Sequence, residues 1–308
     1  AIQIISKRID NEVWLRLIKE ALPDEDVYLF PDEGDRSEVS YVIAWKPPAG
    51  IFKNYPNLQA VASMGAGVDH ILKDPDFPAH LQVTRVTDMF LTKDMGEYVL
   101  EMVLNHLRNY NSLIEGQHKH EWRHGLYRRL SDVAVGVMGL GVLGEYTAAL
   151  LSNMGCNVNG WSRSEKNIDG INCYHGSAEF NEFLSKSEIL VCLLPLTTET
   201  TGILNKETFS KLPSGAFIIN VARGQHLVDE DLIEMIDSGH IAGAVLDVFH
   251  QEPLPVDHPF WSNKRITITP HVASFTKPAS VVPQLIENYI RLQNGEPLEN
   301  VVSISKGY

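Results

Sequence analysis

The chain has 308 residues, 44% of them hydrophobic and 21% charged, which excludes a disordered protein and supplies enough apolar side chains for two cores. Its formal net charge of -13 repels nucleic acid and anionic lipid as a whole, so any anion it binds must meet a local cationic patch. Cys156, Cys173 and Cys192 stand in no C-x-x-C or Cys/His spacing, which argues for reduced core thiols and against a disulfide framework or a zinc site.

The opening Ile2-Gln3-Ile4-Ile5 has the pattern of a strand and not of a signal peptide, and no apolar run is long enough to cross a bilayer. A cytoplasmic location is expected. Further strand-length runs occur at 27–30, 41–45, 58–64 and 82–86, separated by helical patterns such as Val13, Leu17 and Ile18. This rhythm predicts βαβ units on a parallel sheet. A helical stretch over 98–113 leads into a second series of strands at 133–138, 157–161, 189–193, 217–220, 242–247 and 266–269. Six strands in that rhythm make a whole dinucleotide-binding fold of Rossmann type. From Pro278 onward Val282, Leu285, Ile286, Tyr289 and Ile290 form a helical stripe whose partner must lie elsewhere, which predicts a return to the first lobe. The expected architecture is therefore α/β, with two doubly wound parallel-sheet domains and a cleft between lobes. Residues 1–97 and 276–308 form a discontinuous, flavodoxin-like substrate domain, and residues 98–275 form the inserted dinucleotide-binding domain.

The second series opens on the most informative segment of the chain. Asp132-Val133-Ala134-Val135-Gly136-Val137-Met138 runs into Gly139-Leu140-Gly141-Val142-Leu143-Gly144, followed by Leu150, Leu151 and Met154 at helical spacing. In a G-x-G-x-x-G turn between strand and helix, Gly139 permits the tight turn, Gly141 lets the backbone approach a pyrophosphate, and Gly144 lets the helix lie close on the sheet. The helix N-terminus, at Val142 and Leu143, then faces the phosphate charge. An NAD site places Asp or Glu about 20 residues on, at the end of the next strand. Here that strand ends in Ser162-Arg163-Ser164, where a guanidinium and two hydroxyls suit a 2′-phosphate that a carboxylate would repel. NADP(H) is the expected cofactor, with NAD(H) used at lower efficiency.

Three later segments hold residues suited to reducing a carbonyl beside a carboxylate: Asn220-Val221-Ala222-Arg223-Gly224, the stretch from Asp247 to Pro253 with Glu252, and Thr269-Pro270-His271. Residues just past the carboxyl ends of parallel strands line the ligand crevice of open α/β sheets. His271 is the expected proton donor, because imidazole is poised to exchange a proton near neutral pH. Glu252 would hydrogen-bond and orient its ring, and Arg223 would bind the substrate carboxylate and polarise the keto oxygen. Singly, each has a plainer explanation: Arg223 could hold a loop, Glu252 could be a surface charge, and His271 could be a satisfied core histidine. His118, His120, His124 and His250 lack the strand-end position and are expected at the surface or lining a pocket. No metal site is expected.

The residues at this point resemble the D-isomer-specific 2-hydroxyacid dehydrogenase family, over essentially the whole chain, and within it the glyoxylate/hydroxypyruvate reductase group. The resemblance is carried by the Met64-Gly65-Ala66-Gly67-Val68-Asp69 segment, the glycine fingerprint, Trp161-Ser162-Arg163-Ser164, Ala222-Arg223-Gly224, Leu246-Asp247-Val248-Phe249 with Glu252-Pro253-Leu254-Pro255, and Ile268-Thr269-Pro270-His271-Val272-Ala273. It implies an Arg223, Glu252, His271 catalytic set, a homodimer, and reduction of glyoxylate or hydroxypyruvate to glycolate or D-glycerate. It further implies that backbone N–H groups at Ala66 and Gly67 bind the substrate carboxylate and that Asp247 meets the nicotinamide amide. Leu194 and Pro195 would wall the cofactor site beside Ala222. Trp45 looks like a pocket-lining residue of that group, though an ordinary strand-end aromatic fits the sequence as well. The alternative to an enzyme is a dinucleotide-sensing scaffold of the same fold, which would not need the three reacting side chains.

Overall fold

The computed structural model describes residues 1–8 and 10–304. It divides into two units, one made of Ala1–Leu91 with the segment from Thr276 on, the other of Thr92–Phe275. The sequence pattern set the first crossing at residue 97. The division falls earlier, between Leu91 and Thr92, and both points lie inside one continuous helix, Met89–Leu107, along which no change of composition marks a boundary.

The first unit holds five parallel strands: β1 (Ile2–Ser6), β2 (Val27–Leu29), β3 (Tyr41–Trp45), β4 (Ala60–Ser63) and β5 (Gln82–Thr84). Their order, β2-β1-β3-β4-β5, is the flavodoxin-like one. The strands are apolar on successive residues because both faces are covered. Ile2, Ile4, Ile43, Ala60 and Ala62 pack with Trp14, Ile18, Val281, Val282, Leu285 and Tyr289 on one side. Ile5, Val42, Ala44, Val61 and Val83 pack with Phe52, Leu58, Ile71 and Leu81 on the other. Helix Asn11–Ala21 buries Trp14 and Ile18, one turn apart, and leaves Val13 exposed, so its apolar stripe is rotated from the one the sequence suggested. Helix Pro278–Gln293 joins the same core, with Ile290 turned to solvent.

The second unit holds seven parallel strands, not six: β6 (Ala134–Met138), β7 (Asn157–Ser162), β8 (Asn172–His175), β9 (Ile189–Cys192), β10 (Ala216–Asn220), β11 (Ile241–Leu246) and β12 (Ile266–Ile268). The unforeseen β8 is a half-exposed edge strand, Asn-Cys-Tyr-His, with no apolar run to reveal it. The order β12-β11-β10-β9-β6-β7-β8 reverses direction between β6 and β9, and ligands of such sheets bind outside the carboxyl ends of the strands at that point. The helix expected over 98–113 is two helices, Met89–Leu107 and Tyr110–His118, separated at Asn109, whose φ of 51° is left-handed. Among the described residues no helix is long and apolar enough to cross a membrane. Cys156 and Cys192 are buried, Cys173 is half-buried, and all three are free thiols.

Candidate functional site

The carboxyl ends of β6, β7, β9, β10, β11 and β12 each lead into one of the segments singled out from the sequence. After β6 the turn depends on missing side chains. Gly139 has φ +100°, and a Cβ there would stand 2.8 Å from the Leu193 carbonyl oxygen; a Cβ on Gly144 would stand 1.7 Å from that of Gly139. Neither position tolerates a side chain without moving backbone. At Gly141 an added Cβ would meet nothing within 4 Å, so the loop opens on free space. The helix Val142–Asn153 begins there with no side-chain cap, and Val142 is exposed while Leu143 is half-buried. Its first N–H groups, without intrahelical partners, suit a phosphate oxygen. This donor set and the open space at Gly141 fit a dinucleotide pyrophosphate.

The end of β7 differs from expectation in one respect. Ser162 is buried and its hydroxyl donates to the Ser164 carbonyl at 2.7 Å, so its proton shapes the turn and is not offered outward. A strand's side chains alternate between faces, and Ser162 falls on the inner one. Arg163 and Ser164 are exposed, and the Arg163 guanidinium lies 3.8 Å from the Glu199 carboxylate, a loose surface pair that holds it weakly. After β9, Leu194 is buried, and the Pro195 carbonyl accepts from the Thr200 hydroxyl at 2.7 Å.

After β10, Ala222 is buried and Arg223 is held by its own backbone. His226 Nδ1 lies 3.2 Å from the Arg223 N–H and 3.1 Å from the Arg223 carbonyl, and Nε2 of the fully buried ring faces the Pro195 carbonyl at 3.3 Å. Sequence reasoning missed His226, because nothing in the chain marks a histidine whose partners are carbonyls. The Arg223 carbonyl accepts from the Asn220 amide at 3.0 Å, and its guanidinium donates to the Ala222 carbonyl at 2.7 Å. A Cβ on Gly224 would lie 2.0 Å from the Phe249 carbonyl carbon, so the Arg223 loop rests directly on the segment that carries Glu252.

Glu252 accepts from His271 Nδ1 through both carboxylate oxygens, at 3.0 and 2.9 Å, and from the Phe249 N–H at 3.3 Å. With Nδ1 engaged, His271 Nε2 has no hydrogen-bond partner among the described residues and is the ring's available proton site. His271 has φ 56°, a strained left-handed backbone for a residue with a side chain. Asp247 explains how this persists. Its carboxylate accepts from the Thr269 hydroxyl (2.6 Å), the Val272 N–H (2.9 Å) and the Ala273 N–H (3.0 Å), clamping the chain on both sides of His271. Thr269 in turn accepts from the Tyr98 hydroxyl at 2.6 Å. Asp247 is 1% exposed, with Oδ1 accepting two of these donors and Oδ2 one. Burial pushes the Asp247 carboxyl up from the usual range, against the pull of those donors, and pushes the Tyr98 hydroxyl up to about 12.

The Glu252 loop has a second anchor that the sequence did not reveal. His250, exposed as expected, donates from Nε2 to the Leu227 carbonyl at 2.9 Å and lies 3.5 Å from Asp229, whose other oxygen is 3.3 Å from His258. Burial raises the Asp229 carboxyl while both histidines lower it. Among the described residues no group of three or more His, Cys, Asp or Glu side chains is placed to hold a metal ion.

In the first unit, Trp45 ends β3 and is half-buried, its ring 4.5 Å from that of His70. Ala66 and Gly67 are partly exposed in the turn after β4, and neither backbone N–H has a hydrogen-bond partner among the described residues.

The family model described as D-isomer specific 2-hydroxyacid dehydrogenase, NAD binding domain, matches residues 100–273. Glyoxylate/hydroxypyruvate reductase A of Serratia proteamaculans is 38% identical over 302 residues, covering 96% of each chain. The protein of the same name from Photorhabdus laumondii is 39% identical over 304 residues, covering 97% of each. A D-isomer specific 2-hydroxyacid dehydrogenase from Xanthobacter autotrophicus Py2, solved in complex with NADPH and MES, is similar with a TM-score of 0.95 at 40% identity, over 100% of this chain and 99% of that one. The NADPH-dependent glyoxylate/hydroxypyruvate reductase from Sinorhizobium meliloti, in complex with NADP and sulfate, gives 0.92 at 36% identity, over 100% and 99%.

Proposed function

Because the chain belongs to the D-isomer specific 2-hydroxyacid dehydrogenase family, we propose that it reduces glyoxylate or hydroxypyruvate to glycolate or D-glycerate with NADPH, and with NADH less efficiently. The observation that carries this reading is the Glu252–His271 pair, with Nδ1 held and Nε2 left for a proton, at the strand ends of a dinucleotide-binding sheet. NADPH, when bound, supplies the hydride. His271 Nε2 donates a proton to the carbonyl oxygen, and in the oxidative direction the neutral ring removes it. Glu252 keeps the ring oriented. Arg223 takes the substrate carboxylate and stabilises the charge that grows on the oxygen, a task suited to its planar cation. The Ala66 and Gly67 N–H groups supply further donors for that carboxylate, and Trp45 lines its pocket. Leu194, Pro195 and Ala222 flank the cofactor. Arg163 and Ser164 meet the 2′-phosphate, with Ser162 setting the shape of their turn.

The direct test is loss of NADPH absorbance on addition of glyoxylate or hydroxypyruvate. Consumption with either supports the proposal. None with these, with pyruvate or with longer keto acids overturns it in favour of a dinucleotide-sensing scaffold. The same reading places the protein in the cytoplasm as a homodimer, which sedimentation of the full chain tests.

A further inference from the structure

Beneath the Gly65–Gly67 turn lie two polar side chains with no part in the chemistry above, Ser63 at the end of β4 and His70 in the short helix Asp69–Leu72. Ser63 is 0% exposed and His70 is 5% exposed, and buried polar groups persist where their hydrogen-bonding capacity is met. Here the donors and acceptors follow from the chemistry of the groups that meet. The Lys46 N–H, which can only donate, lies 3.3 Å from His70 Nδ1, so a neutral ring carries its proton on Nε2. That nitrogen is 3.2 Å from Ser63 Oγ and therefore donates to it. The Ser63 hydroxyl donates in turn to the Gly67 carbonyl at 2.8 Å, and its Oγ accepts from the Gly65 N–H at 3.2 Å. One donor and two acceptor sites are all that a hydroxyl has, and all three are used.

The relay fixes both ends of the turn, the Gly65 N–H and the Gly67 carbonyl, while the N–H groups of Ala66 and Gly67, at its partly exposed crest, have no hydrogen-bond partner among the described residues. The tied Gly65 N–H and Gly67 carbonyl hold the peptide planes on either side of the two that carry the Ala66 and Gly67 N–H groups, and the Gly65 carbonyl, coplanar with the Ala66 N–H, accepts from the Val86 N–H at 3.1 Å, so the directions of both donors are narrowed. The imidazole also holds the chain just past β3, through the Lys46 N–H, and its ring lies against Trp45.

We propose that Ser63 and His70 are positioning residues for substrate binding: they pre-set the two N–H groups that receive the substrate carboxylate and hold Trp45 in register with them. This rests on the reading that the Ala66–Gly67 turn binds that carboxylate. Pre-set donors cost no reorganisation on binding, so the benefit falls on affinity for the carboxylate and not on hydride or proton transfer.

The test uses Ser63→Ala, which removes one oxygen atom, with His70→Gln as the second variant and Ser63→Thr as the variant that keeps the hydroxyl. For Ser63→Ala, KM for glyoxylate rises about tenfold while kcat and the NADPH dissociation constant stay near wild type, and Ser63→Thr recovers most of the loss. With glycolaldehyde, which presents a carbonyl and no carboxylate, kcat/KM is unchanged. Oxalate binding to the NADPH complex, read by calorimetry, weakens by the same factor and needs no turnover. A parallel fall for glyoxylate and glycolaldehyde, or unchanged oxalate binding in a folded Ser63→Ala, overturns the proposal. A wild-type enzyme that does not discriminate glyoxylate from glycolaldehyde would overturn the underlying carboxylate reading instead. Should His70→Gln fail to fold, the Ser63 pair decides.

Discussion

The Gly139–Gly144 turn and the His271 loop occupy the same edge of one sheet, yet they are shaped by opposite means. The first is defined by absent atoms: a Cβ at Gly144 would stand 1.7 Å from the Gly139 carbonyl oxygen, and the space before Gly141 is empty. The second is defined by side chains, with Asp247 and Glu252 from the preceding segment and Thr269 from the same loop together holding His271 in a left-handed conformation. Steric shape is local. Hydrogen-bonded shape is assembled from several elements, and it brings chemistry with it.

That contrast predicts two separable failures, which form the largest expected effect. Gly144→Val forces the helix off the turn and abolishes NADPH binding, measured by cofactor fluorescence. His271→Asn leaves the cofactor affinity near wild type and lowers kcat by about 10²–10⁴, measured by steady-state reduction of glyoxylate. If both variants lost cofactor binding alike, the two regions would not be independent and His271 would be a structural residue.

A finer test bears on the exposed end of β7. Arg163→Ala should raise the KM for NADPH by about tenfold or more and leave that for NADH nearly unchanged, because only the former presents a phosphate to the guanidinium. Equal changes for both cofactors would mean that Arg163 shapes the turn and does not select the ligand.

The smallest effect concerns the stability of the sheet that carries both regions. His106 stacks on Phe217 of β10, 3.9 Å between ring centroids, and burial pushes its pKa down from 6.5 to about 4, with Arg128 adding to the shift. The unfolded chain therefore takes up a proton near 6.5 while the folded one resists until about 4, so stability is lost as pH falls through that window. Between pH 7 and pH 5 the loss is about 2 kcal/mol, read from urea unfolding, and His106→Gln should flatten it. A slope that survives in the variant would place the titrating group elsewhere.

The sequence pattern was legible wherever local rules decide. The glycine turn follows from residue type and spacing, and the strands of both sheets follow from runs of Ile, Val and Ala that parallel sheets bury on two faces. Arg223, Glu252 and His271 were legible because strand-end positions carry a topological meaning. What was hidden is non-local or weakly patterned. The strand Asn172–His175 lacks an apolar run, and Asn109 breaks a helix through a single backbone angle. Val13 and Trp14 are neighbours that either face of a helix could have claimed. The hold of Asp247 on the His271 loop, like His226, Asp229, Ser63 and His70, gave no signal, since the partners are backbone groups or residues brought near only by folding.

The inward-turned Ser162 hydroxyl has an evolutionary consequence. It closes its turn onto the Ser164 carbonyl, while the half-exposed Arg163 guanidinium pairs with Glu199. Scaffold and charge are thus carried by different residues, so a substitution at 163 changes the charge presented there without rebuilding the strand that presents it.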